Sequence, residues 1–326
     1  MYIRNVGIKG IGAYVPPKIL TNFDLEKMID TSDEWIVTHS GIRERHIAEE
    51  NVATSDLSYE AARIALESAN LSPKELDLII VATVTPDMFF PATACILQDR
   101  LGASCPGFDL SAGCSGFIYA LSVGAQFVAN GTYNNILVVG GETLSKIIDW
   151  QDRSTCILFG DGASAAILSH VKDGGFKSFV LGTDGSGGKF LEMPAGGSRL
   201  PASYDTVNQR LHFIKMNGRE VFKFAVRIMG DAALEAIERA NLTPEDIELY
   251  IPHQANIRII NSSAERIGLS MDKVFINLDK YGNTSSASVG LALYEALKTG
   301  RIEKGMHIVM VGFGAGLTWG ACVLEW

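Results

Sequence analysis

The chain has 326 residues, of which 47% are apolar and 20% charged. That is about two domain-sized units, with a core large enough to need no disulfide or metal staple. The net charge of −9 argues against a nucleic-acid binder, which needs a broad basic face, and ordinary apolar content excludes disorder. No apolar run approaches the ~20 residues that cross a bilayer.

In chain order, Met1–Asn5 leads directly into a strand-like segment, without the basic and apolar regions of a signal peptide. The five cysteines, Cys95, Cys105, Cys114, Cys156 and Cys322, are odd in number and lack metal-ligand spacing. A reducing, cytoplasmic setting with no structural zinc is therefore expected.

Ala65-Leu66-Glu67-Ser68-Ala69-Asn70-Leu71-Ser72-Pro73 ends an amphipathic helix and precedes the apolar strand Leu78–Val81. Ala236 lies 171 residues after Ala65 and opens a second copy, Ala236-Ile237-Glu238-Arg239-Ala240-Asn241-Leu242-Thr243-Pro244, before Leu249–Ile251. Each copy continues into a helix ending at glycine, Gly102 or Gly268. Ile136–Gly140 resembles Ile308–Gly312, and Gly162–Ala165 resembles Gly320–Val323. Two copies at so long a period predict a duplicated α/β fold with halves at 1–171 and 172–326. Short strands apolar on both faces predict sheets covered by helices on both sides. Lys172–Lys215, punctuated by glycines, is expected to be a loop-rich insertion suited to ligand access.

Four places carry chemistry. Cys114 stands in Ser111-Ala112-Gly113-Cys114-Ser115-Gly116, a small-residue turn between a strand ending near Leu110 and a helix. A thiol at a helix start is expected to have a depressed pKa and to act as a nucleophile. His253 follows a strand in Pro252-His253-Gln254-Ala255-Asn256. In parallel sheets, strand carboxyl ends are where ligands bind. Asn283 precedes another small-residue turn, where Ser286 is the counterpart of Cys114. Gly312-Phe313-Gly314-Ala315-Gly316 follows a strand and offers backbone N–H groups for an oxyanion. The other cysteines read as small core residues, while His46, His170, His212 and His307 have no comparable setting.

Together, Gly113–Gly116, Pro252–Asn256 and Gly282–Ser288 resemble the active-site motifs of β-ketoacyl-acyl-carrier-protein synthase III. Thr31–Ile36, Gly41–Arg45 and Phe159–Ala163 extend the resemblance over nearly the whole chain. It implies a thiolase-like fold, two α/β halves in five αβαβα layers. It also implies a decarboxylative condensation. An acyl-coenzyme A primer, acetyl or short branched, acylates Cys114; malonyl carrier protein loses CO₂, and its carbanion attacks the thioester. His253 and Asn283 would stabilise the enolate, and the N–H groups of Cys114 and Ala315 the acyl-transfer oxyanion. The motif usually has glycine at the position of Ala315.

The resemblance further assigns Thr31, Trp35, His39, Arg153 and Asn256 to coenzyme A, with Trp35 and Arg153 stacking on the adenine. Many members have arginine at the position of His39. An imidazole there should make coenzyme A binding weaker and more pH-sensitive. Phe90 matches a residue lining the acyl pocket. Arg219, Lys223 and Arg227 share one helix face and, with Arg258, are expected to dock the acidic carrier protein. Coenzyme A enters as substrate, no cofactor is expected, and a homodimer is implied. Specialised synthases of secondary metabolism are the alternative in the same fold. Hydroxymethylglutaryl-coenzyme A synthases, two-histidine condensing enzymes, thiolases, papain-like hydrolases and an inactive scaffold fit the residues less well.

Overall fold

The computed structural model describes residues 4–326; Met1–Ile3, within the expected leading segment, lie outside the described residues. Two sheets form the frame. The first runs in the order Val6–Tyr14, Gly162–His170, Asn135–Glu142, Leu78–Ala82, Gly107–Leu110. The second runs Gly175–Thr183, Thr318–Glu325, His307–Gly314, Leu249–Pro252. A parallel bridge between Tyr250 and Val274 stands where the first sheet has its fifth strand.

Alternating residues of one strand enter different cores. Leu78 and Ile80 face the central layer, while Ile79 and Val81 face the outer helices, so the strand is apolar throughout. The central layer is the pair of helices Gly116–Ala129 and Ser288–Lys298, whose Phe117, Leu121, Val289 and Leu293 share one core with both sheets. Helices Thr54–Ala69 and Thr93–Leu101 cover the first sheet, and Gly218–Arg239 and Ile257–Ile267 cover the second. The result is the expected five-layered α/β architecture.

The repeat is visible in backbone geometry. Asn70 and Asn241 both take the left-handed conformation, at φ 53° and 56°, just after their helices. Asparagine tolerates that conformation better than most residues. A Pro-led 3-10 turn follows in each copy, Pro73–Glu75 and Pro244–Asp246, and then the parallel strand.

The expected insertion is shorter than Lys172–Lys215. Gly175–Thr183 is a full edge strand paired with Thr318–Glu325. Its glycine-led start hid its place in the sheet. The segment after it makes a 3-10 helix at Gly185–Phe190, a small ribbon of Leu191–Glu192 with Lys215–Met216, and a short helix Tyr204–Asn208. Among the described residues, no helix is long and apolar enough to cross a membrane.

Candidate active site

Ends of strands from both sheets meet at one buried region. Cys114 follows Gly107–Leu110, His253 follows Leu249–Pro252, and Ala315 follows His307–Gly314. Asn283 is fixed by its backbone, its N–H donating to Leu158 O at 2.8 Å and its O accepting from Gly160 N at 3.0 Å. Cys114, His253 and Asn283 line one cavity of about 170 Å³. Cys114 also lines an adjoining cavity of about 220 Å³, walled largely by Val84, Leu144, Ile147, Phe159 and Ile214. The sulfur therefore stands where two largely apolar cavities meet, the first of these carrying the polar groups of His253, Asn256 and Asn283.

Cys114 lies in the 3-10 turn Gly113–Ser115 that runs into the Gly116–Ala129 helix. In the second position of that turn its N–H has no intrahelical acceptor. Gly113, at φ +54°, brings the turn so near the Gly314–Ala315 backbone that a Cβ on it would lie 2.7 Å from Ala315 N. Only glycine fits there. The Ala315 N–H has no backbone acceptor among the described residues. Two amide donors thus lie at the Cys114 turn, with Cys114 and Ala315 lining one cavity, as an oxyanion site needs.

The expected low thiol pKa is corrected. Burial pushes the Cys114 thiol up to about 12, because desolvation of the thiolate outweighs the hydrogen bond from Ser285. Burial likewise pushes His253 down to about 3. The resting pair is a neutral thiol and a neutral imidazole.

His253 Nδ1 meets Ser288 Oγ at 2.5 Å. With Ser288 donating, the imidazole proton sits on Nε2. That Nε2 is buried with no partner, as a group awaiting a substrate acceptor would be. Phe313 holds the ring from the side, edge-on at 5.5 Å. Asn283 Oδ1 accepts the Ser285 N–H at 2.8 Å, leaving its NH₂ end as the free donor. Ser285 and Ser288 were not singled out from the sequence. Their serine-rich run, Thr284-Ser285-Ser286-Ala287-Ser288, was the only signal.

The residues expected at the coenzyme A site fall into two groups. Arg153 lies over the Trp35 indole at 4.8 Å, a cation–π pair. His39 does not stand free: its ring stacks on Trp35 at 4.4 Å, and its Nδ1 meets Trp35 O at 2.7 Å. Asn256 lines the cavity of His253 and Asn283. Part of its amide is already engaged, donating to His39 O at 2.8 Å and accepting from Arg258 N at 2.9 Å. Thr31 Oγ1 is buried without a partner.

Phe90 is 85% exposed and lines neither cavity of its own chain, because the Met88–Phe90 turn points outward. Arg219, Lys223 and Arg227 are exposed along one face of the Gly218–Arg239 helix. Lys223 is paired with Glu220 at 2.8 Å, and Arg258 lies over the Phe222 ring at 5.4 Å. Of the remaining cysteines, Cys156 and Cys322 are buried, Cys105 is half-buried, and Cys95 is exposed, not the core residue expected.

Residues 108–185 match the family model described as 3-oxoacyl-[acyl-carrier-protein (ACP)] synthase III, and residues 237–326 match its C-terminal model. The chain is 62% identical to the β-ketoacyl-[acyl-carrier-protein] synthase III of Caldanaerobacter subterraneus, over 98% of this chain and 97% of that one. It is 58% identical to the synthase of the same name from Desulfitobacterium hafniense, over 99% and 98%. The crystal structure of a Thermus thermophilus β-ketoacyl-[acyl carrier protein] synthase III superposes at TM-score 0.92 with 52% identity, covering 98% of this chain and 99% of that one.

Proposed function

The chain belongs to the β-ketoacyl-[acyl-carrier-protein] synthase III family, condensing acyltransferases that begin fatty acid synthesis, and on that premise we propose that the Cys114–His253–Asn283 cavity carries out the condensation. Cys114 Sγ attacks the thioester carbon of an acyl-coenzyme A, and the tetrahedral oxyanion takes the N–H groups of Cys114 and Ala315. Coenzyme A leaves as a thiol with the proton that Cys114 gave up. Malonyl carrier protein then presents its thioester oxygen to His253 Nε2–H and the Asn283 NH₂ group. CO₂ departs, and the negative charge left on that oxygen is held by two neutral donors. The enolate carbon attacks the acyl-Cys114 carbonyl, and the thiolate leaves again. A neutral imidazole suits this role, since it donates without protonating the enolate fully.

The observation that carries the reading is His253 Nε2, buried and unpartnered in the cavity that Cys114 and Asn283 share. The serial use of one site by two substrates fits the two adjoining cavities, one for the acyl chain and the other, which holds His253 and Asn283, for the malonyl group. Trp35 and Arg153 are the adenine contacts in this reading, with Thr31, His39 and Asn256 nearby. Arg219, Lys223, Arg227 and Arg258 receive the carrier protein. The halves divide near residues 171 and 172, and the setting is cytoplasmic. A second copy of the chain covers the exposed Met88, Phe89 and Phe90, at 49%, 78% and 85% exposure. Phe90 then meets an acyl pocket in the dimer.

Intact-protein mass spectrometry after mixing with acetyl- or isobutyryl-coenzyme A tests the reading. One acyl mass on Cys114, discharged by malonyl carrier protein with CO₂ release, is expected. No adduct with either primer overturns it.

A further inference from the structure

We propose that Glu142 is a positioning residue for Asn283: its buried carboxyl group, acting through Ser285, fixes the turn that aims the Asn283 carboxamide at the substrate. This rests on the reading that Asn283 binds the malonyl thioester oxygen.

Glu142 ends the Asn135–Glu142 strand and is 0% exposed. No Lys, Arg or His is among the groups acting on it. Such a burial is costly unless hydrogen bonds offset it. They come from both halves of the chain. Oε2 accepts from Thr83 Oγ1 at 3.2 Å, from Thr85 N at 3.1 Å and from Thr85 Oγ1 at 2.6 Å. Oε1 meets Ser285 Oγ at 3.2 Å and Ser286 Oγ at 2.8 Å. The Val84 N–H reaches both oxygens, at 3.3 and 3.1 Å, so Oε2 holds the loop after Leu78–Ala82 while Oε1 spans that loop and the turn after Asn283.

The proton count shows the state of the carboxyl group. Ser286 has one hydroxyl proton, yet its Oγ lies 3.0 Å from Ala82 O and 2.8 Å from Glu142 Oε1. A carbonyl only accepts, so Ser286 donates to Ala82, and the contact with Glu142 needs a proton from the acid. Burial, which raises this carboxyl group's pKa, supports that form. It also removes a charge that would oppose a thiolate at Cys114.

Ser285 is the link. It holds φ +48°, a left-handed conformation unusual for a residue other than glycine. Such backbones persist where neighbours hold them. Its Oγ lies 3.2 Å from Glu142 Oε1 and also meets the Cys114 thiol, and its N–H donates to Asn283 Oδ1 at 2.8 Å. The N–H bond decides which end of the Asn283 amide faces the cavity. A wrongly turned amide would place an oxygen against the enolate.

The test separates the half-reactions. Acylation of Cys114 is read by intact mass, and decarboxylation by CO₂ release from malonyl carrier protein, for wild type, Asn283→Ala, Ser285→Ala, Glu142→Ala and Glu142→Gln. Ser285→Ala and Glu142→Ala should slow decarboxylation by ~10- to 100-fold, approaching Asn283→Ala; acylation should stay within ~3-fold of wild type in Glu142→Ala, whereas Ser285→Ala also removes a hydrogen bond to Cys114. Glu142→Gln should recover most of the rate, because its amide supplies an acceptor toward Thr83 and Thr85 and a donor toward Ser286. Should Glu142→Ala not fold, Ser285→Ala and Glu142→Gln carry the test. Parallel loss of both half-reactions in either Glu142 variant, an unaffected decarboxylation in Ser285→Ala, or a Gln variant that loses decarboxylation as fully as Ser285→Ala would overturn the proposal. Wild type that becomes acylated yet releases no CO₂ would instead overturn the reading beneath it.

Discussion

Two turns in this molecule match by sequence position and differ in use. Gly113–Ser115 leads into the Gly116–Ala129 helix, and Ser285–Ala287 leads into the Ser288–Lys298 helix. They pack against each other: a Cβ on Gly116 would lie 3.5 Å from Ser286 Cβ. Cys114 borders both cavities. Ser286, its counterpart, is 1% exposed and spends its hydroxyl on Ala82 and Glu142. Of two equivalent helix starts, one sets its nucleophile on both cavities; in the other, Ser285 touches one cavity while Ser286 is sealed into the frame.

The largest effect should come from exchanging small residues at the two counterparts. Cys114→Ala should abolish the acyl adduct and cut condensation by at least ~10³-fold. Ser286→Ala should keep the adduct and cost about 1 kcal/mol of stability by chemical denaturation, as one lost hydrogen bond does. Loss of the adduct in Ser286→Ala would erase the contrast between the two turns.

A smaller effect follows from burial of the open turn. With the thiol raised to about 12, deprotonation becomes easier as pH rises across the whole neutral range. The rate of Cys114 acylation or alkylation should climb by about tenfold per pH unit between roughly pH 6 and 9. The neutral imidazole, lowered to about 3, should add no inflection there. A plateau already reached near neutral pH would show that the helix start outweighs desolvation after all.

The smallest lies outside both turns. Charge reversal at Lys223 and Arg258 should raise the KM for malonyl carrier protein by ~10-fold and leave use of acyl-coenzyme A unchanged. The existing Lys223–Glu220 pair and the Arg258–Phe222 contact limit how much charge each can offer. Equal loss with both substrates would remove docking from their role.

Much of this was legible in residue order. Asn70 and Asn241, each before a Leu and a Ser/Thr-Pro pair, announced two helix ends and a duplicated frame. The glycines around Cys114 and the placement of His253 after a strand announced their cavity. Other features were hidden for definite reasons. Nothing in Gly140-Gly141-Glu142 marks its acid as buried, and only the approach of Thr83–Thr85 and Ser285–Ser286 buries it. Ser288 and His253 are 35 residues apart, so nothing local links them. The stacking of His39 on Trp35, four residues before it, appears only once the Asp33–Ser40 helix forms. Phe90 matches a pocket-lining position, and only the tertiary structure shows that its turn faces outward from its own chain.

The chain's own order of residues determined which groups could react and the alternation of helix and strand, because periodicity, turn chemistry and small-residue spacing act over a few neighbours. Tertiary structure decided their electrical states and aim. The thiol and imidazole stay neutral because packing removes water from them, and the carboxamide points one way because a distant acid holds the serine beside it.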